Sequence, residues 1–162
     1  MAKNVTYNMD LPEGLPSEFL LLKFGETDTT QGPYRLDLAS AKEIVTTAQT
    51  RKLKFNFDYN HASLDPKNTE DGIAAGWFDI ELKEDGIWAK NIRWTPKAAQ
   101  YLSTREFAYY SPAIKLNKNG YAIRLINVAL TNLPATSDIN SLVALSENSY
   151  RSLDALISYL VR

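Results

Sequence analysis

Residues 75–94 read AGWFDIELKEDGIWAKNIRW, and the fold follows from this stretch. Two runs with period-two alternation, Ala75 to Leu82 and Ile87 to Trp94, flank the turn Lys83-Glu-Asp-Gly86. Alternation of that period puts successive side chains on opposite faces of a strand, and a Glu-Asp-Gly turn between two such runs predicts a β-hairpin. Just downstream, Thr95 followed by Pro96 gives an N-cap with proline at the first helical position, so a short helix is predicted through Ser103. A second hairpin is predicted from Phe107 to Leu116 and Tyr121 to Leu130, around the turn Asn117-Lys-Asn-Gly120.

Upstream, Phe19 to Phe24 (FLLLKF) has the length of a buried strand ended by Gly25, and a loop is expected after it. Leu38, Ala41, Ile44, Val45 and Ala48 fall at three- and four-residue spacing, which predicts an amphipathic helix from Leu38 to Gln49 capped near Asp37. Leu53 to Tyr59 (LKFNFDY) alternates again. Leu53, Phe55, Phe57 and Tyr59 share one face, and Lys54, Asn56 and Asp58 the other, so a half-buried strand leads into His61. Near the end, Leu153, Leu156, Ile157 and Leu160 form a narrow apolar stripe on a predicted helix that must dock on the body or on another subunit, so a homodimer is one open outcome. At least six mostly antiparallel strands with a few helices outside define an α+β protein: a small, mostly antiparallel β-barrel or bent sheet with peripheral helices. The expected division is a domain over residues 1–145 and a C-terminal helix over 146–162.

Composition narrows the chemistry. The chain of 162 residues has no cysteine and one histidine, which excludes disulfide scaffolds, thiol nucleophiles and metal sites built on cysteine or on several histidines. With 18 basic and 19 acidic side chains the net charge is −1, which argues against binding nucleic acid or an anionic membrane surface as the main activity. The opening MAKNVTYNMDLPEG lacks the pattern of a secretory signal and no apolar run approaches a membrane span, so a soluble protein made without an export signal is expected.

What remains is a serine or threonine nucleophile activated by His61, or carboxylate-based chemistry. Ser111 stands in the aromatic segment Phe107-Ala-Tyr-Tyr-Ser-Pro-Ala-Ile114. Pro112 removes a ladder donor, which suits an edge strand or a local distortion at a site; the plainer reading is a serine filling a gap beside an edge proline, since no G-x-S-x-G elbow surrounds it. Asp58, Asp65, Glu70 and Asp71 bracket His61, while Asp79, Glu81, Glu84 and Asp85 lie on the first hairpin. Such oxygens suit a hard cation, but no ordered spacing of ligands appears, and solvated loop charges are the simpler reading. Trp77, Trp88 and Trp94 are read as core filling rather than as a ligand platform.

Several separated segments, taken in order, resemble one family. Asp58-Tyr-Asn-His61, Ala74-Ala-Gly-Trp77, Gly86-Ile-Trp-Ala89, Trp94-Thr-Pro-Lys-Ala-Ala99, Tyr109-Tyr-Ser-Pro112 and Ala129-Leu-Thr-Asn-Leu-Pro-Ala135 are similar to the Mu-like prophage I proteins, the head maturation proteases of Mu-type phages. The resemblance implies a serine protease related in fold to prohead proteases and to the herpesvirus assemblins. His61 matches the general base and Ser111 the nucleophile. The assemblins place a second histidine in a His-Val-Ala-Leu strand, where this chain reads Asn127-Val-Ala-Leu130. Asn127 is therefore the preferred third member, because an amide oxygen can accept the Nδ1 proton, and Asp58 is its rival, with its side chain pointing away unless the chain turns at Asn60. By similarity, the backbone N–H of Ala135 holds the oxyanion.

The resemblance further implies no cofactor and no metal, and a site of action inside the assembling prohead in the host cytoplasm, the gene being phage- or prophage-borne. Substrates and partners would be the scaffold and the protease itself, with the major capsid protein open as another. The family's chains continue into a C-terminal scaffold, whereas this one stops at Arg162, and the small residues of Leu142-Val-Ala-Leu-Ser146 before Glu147-Asn-Ser149 are a candidate self-cleavage region. Two other readings stand beside the protease: a non-catalytic capsid assembly or scaffolding module of the same fold, and a metal-dependent hydrolase using the carboxylates near His61.

Overall fold

The computed structural model describes residues 15–64, 67 and 72–136. The C-terminal stripe, the 146–162 helix, the division at 145 and the candidate cleavage region lie outside the described residues. Within them the chain forms strands β1 (Phe19–Lys23), β2 (Gly25–Thr27) and β3 (Tyr34–Leu36), helix α1 (Leu38–Gln49), strand β4 (Phe55–Tyr59), a 3-10 turn (Ala62–Leu64), strands β5 (Gly76–Lys83) and β6 (Gly86–Trp94), helix α2 (Pro96–Ser103), and strands β7 (Tyr109–Leu116) and β8 (Ala122–Thr131).

Six strands join in the order β1-β6-β5-β4-β8-β7, and β2 pairs with β3 in a small ribbon, where the sequence reading expected only a loop. All neighbours in the large sheet are antiparallel except β4 and β8, which run parallel. The sheet curls until its two ends meet: the Tyr110 hydroxyl on β7 donates to the Leu20 carbonyl on β1 at 3.3 Å, and the Phe19 and Tyr110 rings lie 4.6 Å apart. The result is a nearly closed small barrel in an α+β protein.

Local chemistry explains the helices. Asp37 accepts the Ser40 N–H at 2.8 Å while Ser40 Oγ accepts the Asp37 N–H at 3.0 Å, a capping box that starts α1. Thr95 caps α2 through the Ala98 N–H, with Pro96 at the position where a missing donor costs nothing. α1 packs on β8 and β5.

The barrel interior is aromatic. Phe57 sits 4.5 Å from Phe78 and 4.6 Å from Trp94, centroid to centroid, and Phe78 stacks on Phe55 at 5.6 Å. Complete burial stabilises by roughly 1.5–3 kcal/mol for each such side chain. Gly76 makes this stacking possible, because a Cβ there would lie 3.0 Å from Trp94 Cε3 and 3.3 Å from Phe57 Cδ2. Of the three tryptophans only Trp94 fills the core. Trp77 is exposed and Trp88 lies at the surface under Lys83, 4.2 Å from its ammonium, because they occupy the opposite face of the β5–β6 ribbon.

Candidate active site

The strand before His61 departs from the simple two-faced reading. It begins at Phe55 rather than Leu53, which is exposed, and Asp58 on the supposedly open face is completely buried. Asn127 on the neighbouring β8 and Ser63 in the turn after His61 cover the carboxylate on that face. At its end the chain turns sharply. Asn60 and His61 both adopt left-handed backbone conformations, with φ of 54° and 55°, a combination uncommon outside glycine and most accessible to Asn, Asp and His. The Asn60 N–H is tied to the Leu130 carbonyl at 2.9 Å and the Leu64 N–H to the His61 carbonyl at 2.9 Å, so the turn is fixed on both sides of the imidazole.

This turn brings the His61 imidazole against β8. His61 Nδ1 and Asn127 Oδ1 are 2.9 Å apart. Asn127, on β8, is 6% exposed, and its amide nitrogen donates to Asp58 Oδ2 at 2.8 Å and to Ser63 Oγ at 3.0 Å. Asp58 Oδ2 also accepts the Ser63 N–H at 3.0 Å and the Ser63 hydroxyl. Asp58 therefore reaches the imidazole through Asn127. Ser63 is a member of this network that the sequence reading did not single out; its short polar side chain in the turn after His61 was the available signal. Its tight fit also depends on Gly72, where a Cβ would meet the Ser63 backbone, 2.8 Å from its Cα.

Strand register adds Ser111. Asp58 on β4 and Ser111 on β7 are both opposite Ala129 on β8, and Asn127 is opposite Ala113. Directly opposed residues present side chains to one face, so Asp58, Ala129 and Ser111 form a row across three strands. Asn127, two residues along β8, belongs to the same face and is the diagonal neighbour of Ser111, at about 7–8 Å between Cα atoms. Val128, Leu130, Phe57 and Tyr110 point the other way, into the core. Ser111 is 6% exposed and His61 half-buried; among the described residues no hydrogen bond joins them. β7 lies at the end of the sheet order, where the missing N–H of Pro112 is tolerated.

Ala135 lies beyond β8 with its carbonyl accepting the Thr30 N–H at 2.9 Å, which ties that segment to the β2–β3 connection. Tyr59, two residues before the imidazole, is pushed above its usual range by burial, so it stays neutral near pH 7 and adds no charge beside His61. Asp65, Glu70 and Asp71 fall outside the described residues. On the first hairpin Asp79 pairs with Lys54 at 3.0 Å and Glu81 with Lys90 at 2.7 Å. Among the described residues no group of three or more His, Asp or Glu side chains is arranged to hold a metal ion, and no helix is long and apolar enough to cross a membrane.

A small barrel that carries a lone histidine, an asparagine and a buried aspartate in one hydrogen-bonded chain, with a serine on the same sheet face, defines the class of site. The model of the Mu-like prophage I protein N-terminal domain matches residues 19–143, and the chain belongs to that family. It is 31% identical over 147 residues to the Mu-like prophage FluMu I protein of Haemophilus influenzae, a match covering 84% of this chain and 40% of that relative, so the chain spans less than half the relative's length. No solved structure matches significantly.

Proposed function

We propose that this phage-family domain is a serine endopeptidase that processes the scaffold, itself and in some heads the capsid protein during prohead maturation. The observation that carries the reading is the 2.9 Å His61–Asn127 contact on the sheet face that also bears Ser111. The Ser111 hydroxyl attacks the peptide carbonyl as His61 Nε2 takes its proton; Asn127 Oδ1 holds the Nδ1 proton and so keeps the ring in the tautomer whose Nε2 lone pair is free to act. The tetrahedral intermediate collapses as His61 returns the proton to the leaving amine. Water, deprotonated by the same imidazole, then releases the acyl group from Ser111. The backbone N–H of Ala135 is the proposed oxyanion donor. No cofactor or metal is required, and the partners are scaffold and major capsid protein inside the assembling head in the host cytoplasm.

Burial of Ser111 and the absence of a direct Ser111–His61 hydrogen bond favour a second reading, a non-catalytic assembly module of the same fold. Contacts of this kind are often long in a substrate-free enzyme and tighten in the complex, which is why the protease reading is preferred. Incubating wild type, Ser111→Ala and His61→Ala with a scaffold-fused precursor, with and without chelator, separates the readings. Loss of about 10³-fold or more in both variants is expected. Cleavage unchanged in Ser111→Ala sinks the serine mechanism, cleavage absent in wild type favours the assembly module, and loss on chelation points to a metal hydrolase.

A further inference from the structure

We infer that Asp58 and Ser63 are positioning residues for the histidine base, acting by fixing which way round the Asn127 amide stands. The inference deepens the protease reading and rests on it for its catalytic consequence.

An asparagine amide has one accepting and one donating end, and nothing in the side chain's shape distinguishes them. Here the surroundings do. Nδ2 donates towards Asp58 Oδ2 at 2.8 Å and Ser63 Oγ at 3.0 Å, two acceptors that are hydrogen-bonded to each other and lie side by side in front of the amide nitrogen. The Ser63 hydroxyl spends its own proton on Asp58 Oδ2, to which the Ser63 N–H also donates at 3.0 Å. Turning the amide over would set its carbonyl oxygen against a carboxylate and against a hydroxyl whose proton is already committed. Oδ1 must therefore face His61, and the nitrogen 2.9 Å away, Nδ1, must be the one that carries the ring proton. Nε2 is left with the lone pair that a base needs.

The burial pattern fits this role. Asp58 is completely buried, yet its Oδ1 has no hydrogen-bond partner among the described residues. A buried carboxylate with one oxygen unsatisfied is destabilising, and an apolar residue would pack there at less cost. Orientation of Asn127 gives the carboxylate a purpose that packing does not.

Because the chain has a single histidine, the test reads it without overlap. With the ring nitrogens 15N-labelled, two-bond proton–nitrogen correlations on the full chain, above the pH where the imidazole titrates, report which nitrogen is protonated. Wild type is expected to show the Nδ1–H tautomer. Asp58→Asn, which can offer either end of an amide, is expected to lose that preference, and in precursor cleavage to lower kcat about 10- to 100-fold at nearly constant KM. Ser63→Ala shifts the tautomer in the same direction and Ser63→Thr restores it. Wild-type tautomer ratios in folded Asp58→Asn and Ser63→Ala overturn the inference; if Asp58→Asn does not fold, Ser63→Ala, which leaves the backbone N–H in place, decides alone. The two readings fail separately. A tautomer shift in a protein that never cleaves the precursor removes the protease and keeps the positioning role, while cleavage with an unmoved tautomer does the reverse.

Discussion

Phe57 and Asp58 are neighbours on β4, both wholly buried, and they are buried by opposite physics. Phe57 faces the barrel interior, where Phe78, Trp94 and Phe19 surround it with apolar rings; its contribution is area removed from water and close packing. Asp58 faces the other side, where every favourable contact is a directed hydrogen bond to Asn127 or Ser63. One strand therefore supplies both the stability and the candidate chemistry of this domain. The interior is sensitive to volume, and the site face is sensitive to the identity and direction of donors and acceptors.

The largest effect that would sharpen this contrast comes from the interior. Phe57→Ala should destabilise the domain by about 3–5 kcal/mol, read as a lower denaturant midpoint at unchanged slope. A loss under about 1 kcal/mol would mean that the ring stack does not carry the core. Next comes overpacking. Gly76→Ala puts a methyl group 3.0 Å from Trp94 Cε3 and 3.1 Å from the Arg93 carbonyl, and a cost of about 1–3 kcal/mol is expected, measured by thermal unfolding. A neutral outcome would break the claim that volume governs this side.

The smallest effect belongs to polar contacts outside both regions. Asp79 on β5, held by Lys54 at 3.0 Å and Asn91 at 3.2 Å, has its carboxyl lowered below the usual range chiefly by the Lys54 hydrogen bond. Its contribution is present above the ordinary aspartate range and is lost as pH falls below about 4, through the lowered folded value. At 44% side-chain exposure the pair is solvent-screened, so Asp79→Asn should cost less than about 1 kcal/mol at pH 7. The difference from wild type should vanish at acid pH in denaturation at matched ionic strength; a difference that grows there would refute the assignment.

Much of the fold was legible in the chain. The Asp37 cap, the Thr95-Pro96 start and the two hairpin turns are local signals, and the elements they predict stand within a few residues of those observed. The β2–β3 ribbon was missed because three-residue strands carry too little alternation to read. The exposure of Trp77 and the burial of Asp58 were misread for a related reason: period two says that two residues face opposite ways, and it is silent on what covers each face.

His61, Ser111 and Asn127 could be picked out from a residue count and a resemblance, with Asp58 as rival for the third place. Their arrangement could not. The sequence by itself determined the elements, the absence of thiol chemistry and the fact that any imidazole base must be His61, since these depend on local spacing and composition. Only the tertiary structure decided that β4 pairs in parallel with β8, which brings Asp58 within reach of a residue 69 positions away. Two left-handed residues then fold the imidazole back onto Asn127 rather than onto Asp58. Long-range register is set by which hydrophobic faces must share one core, and no local window of sequence contains that information.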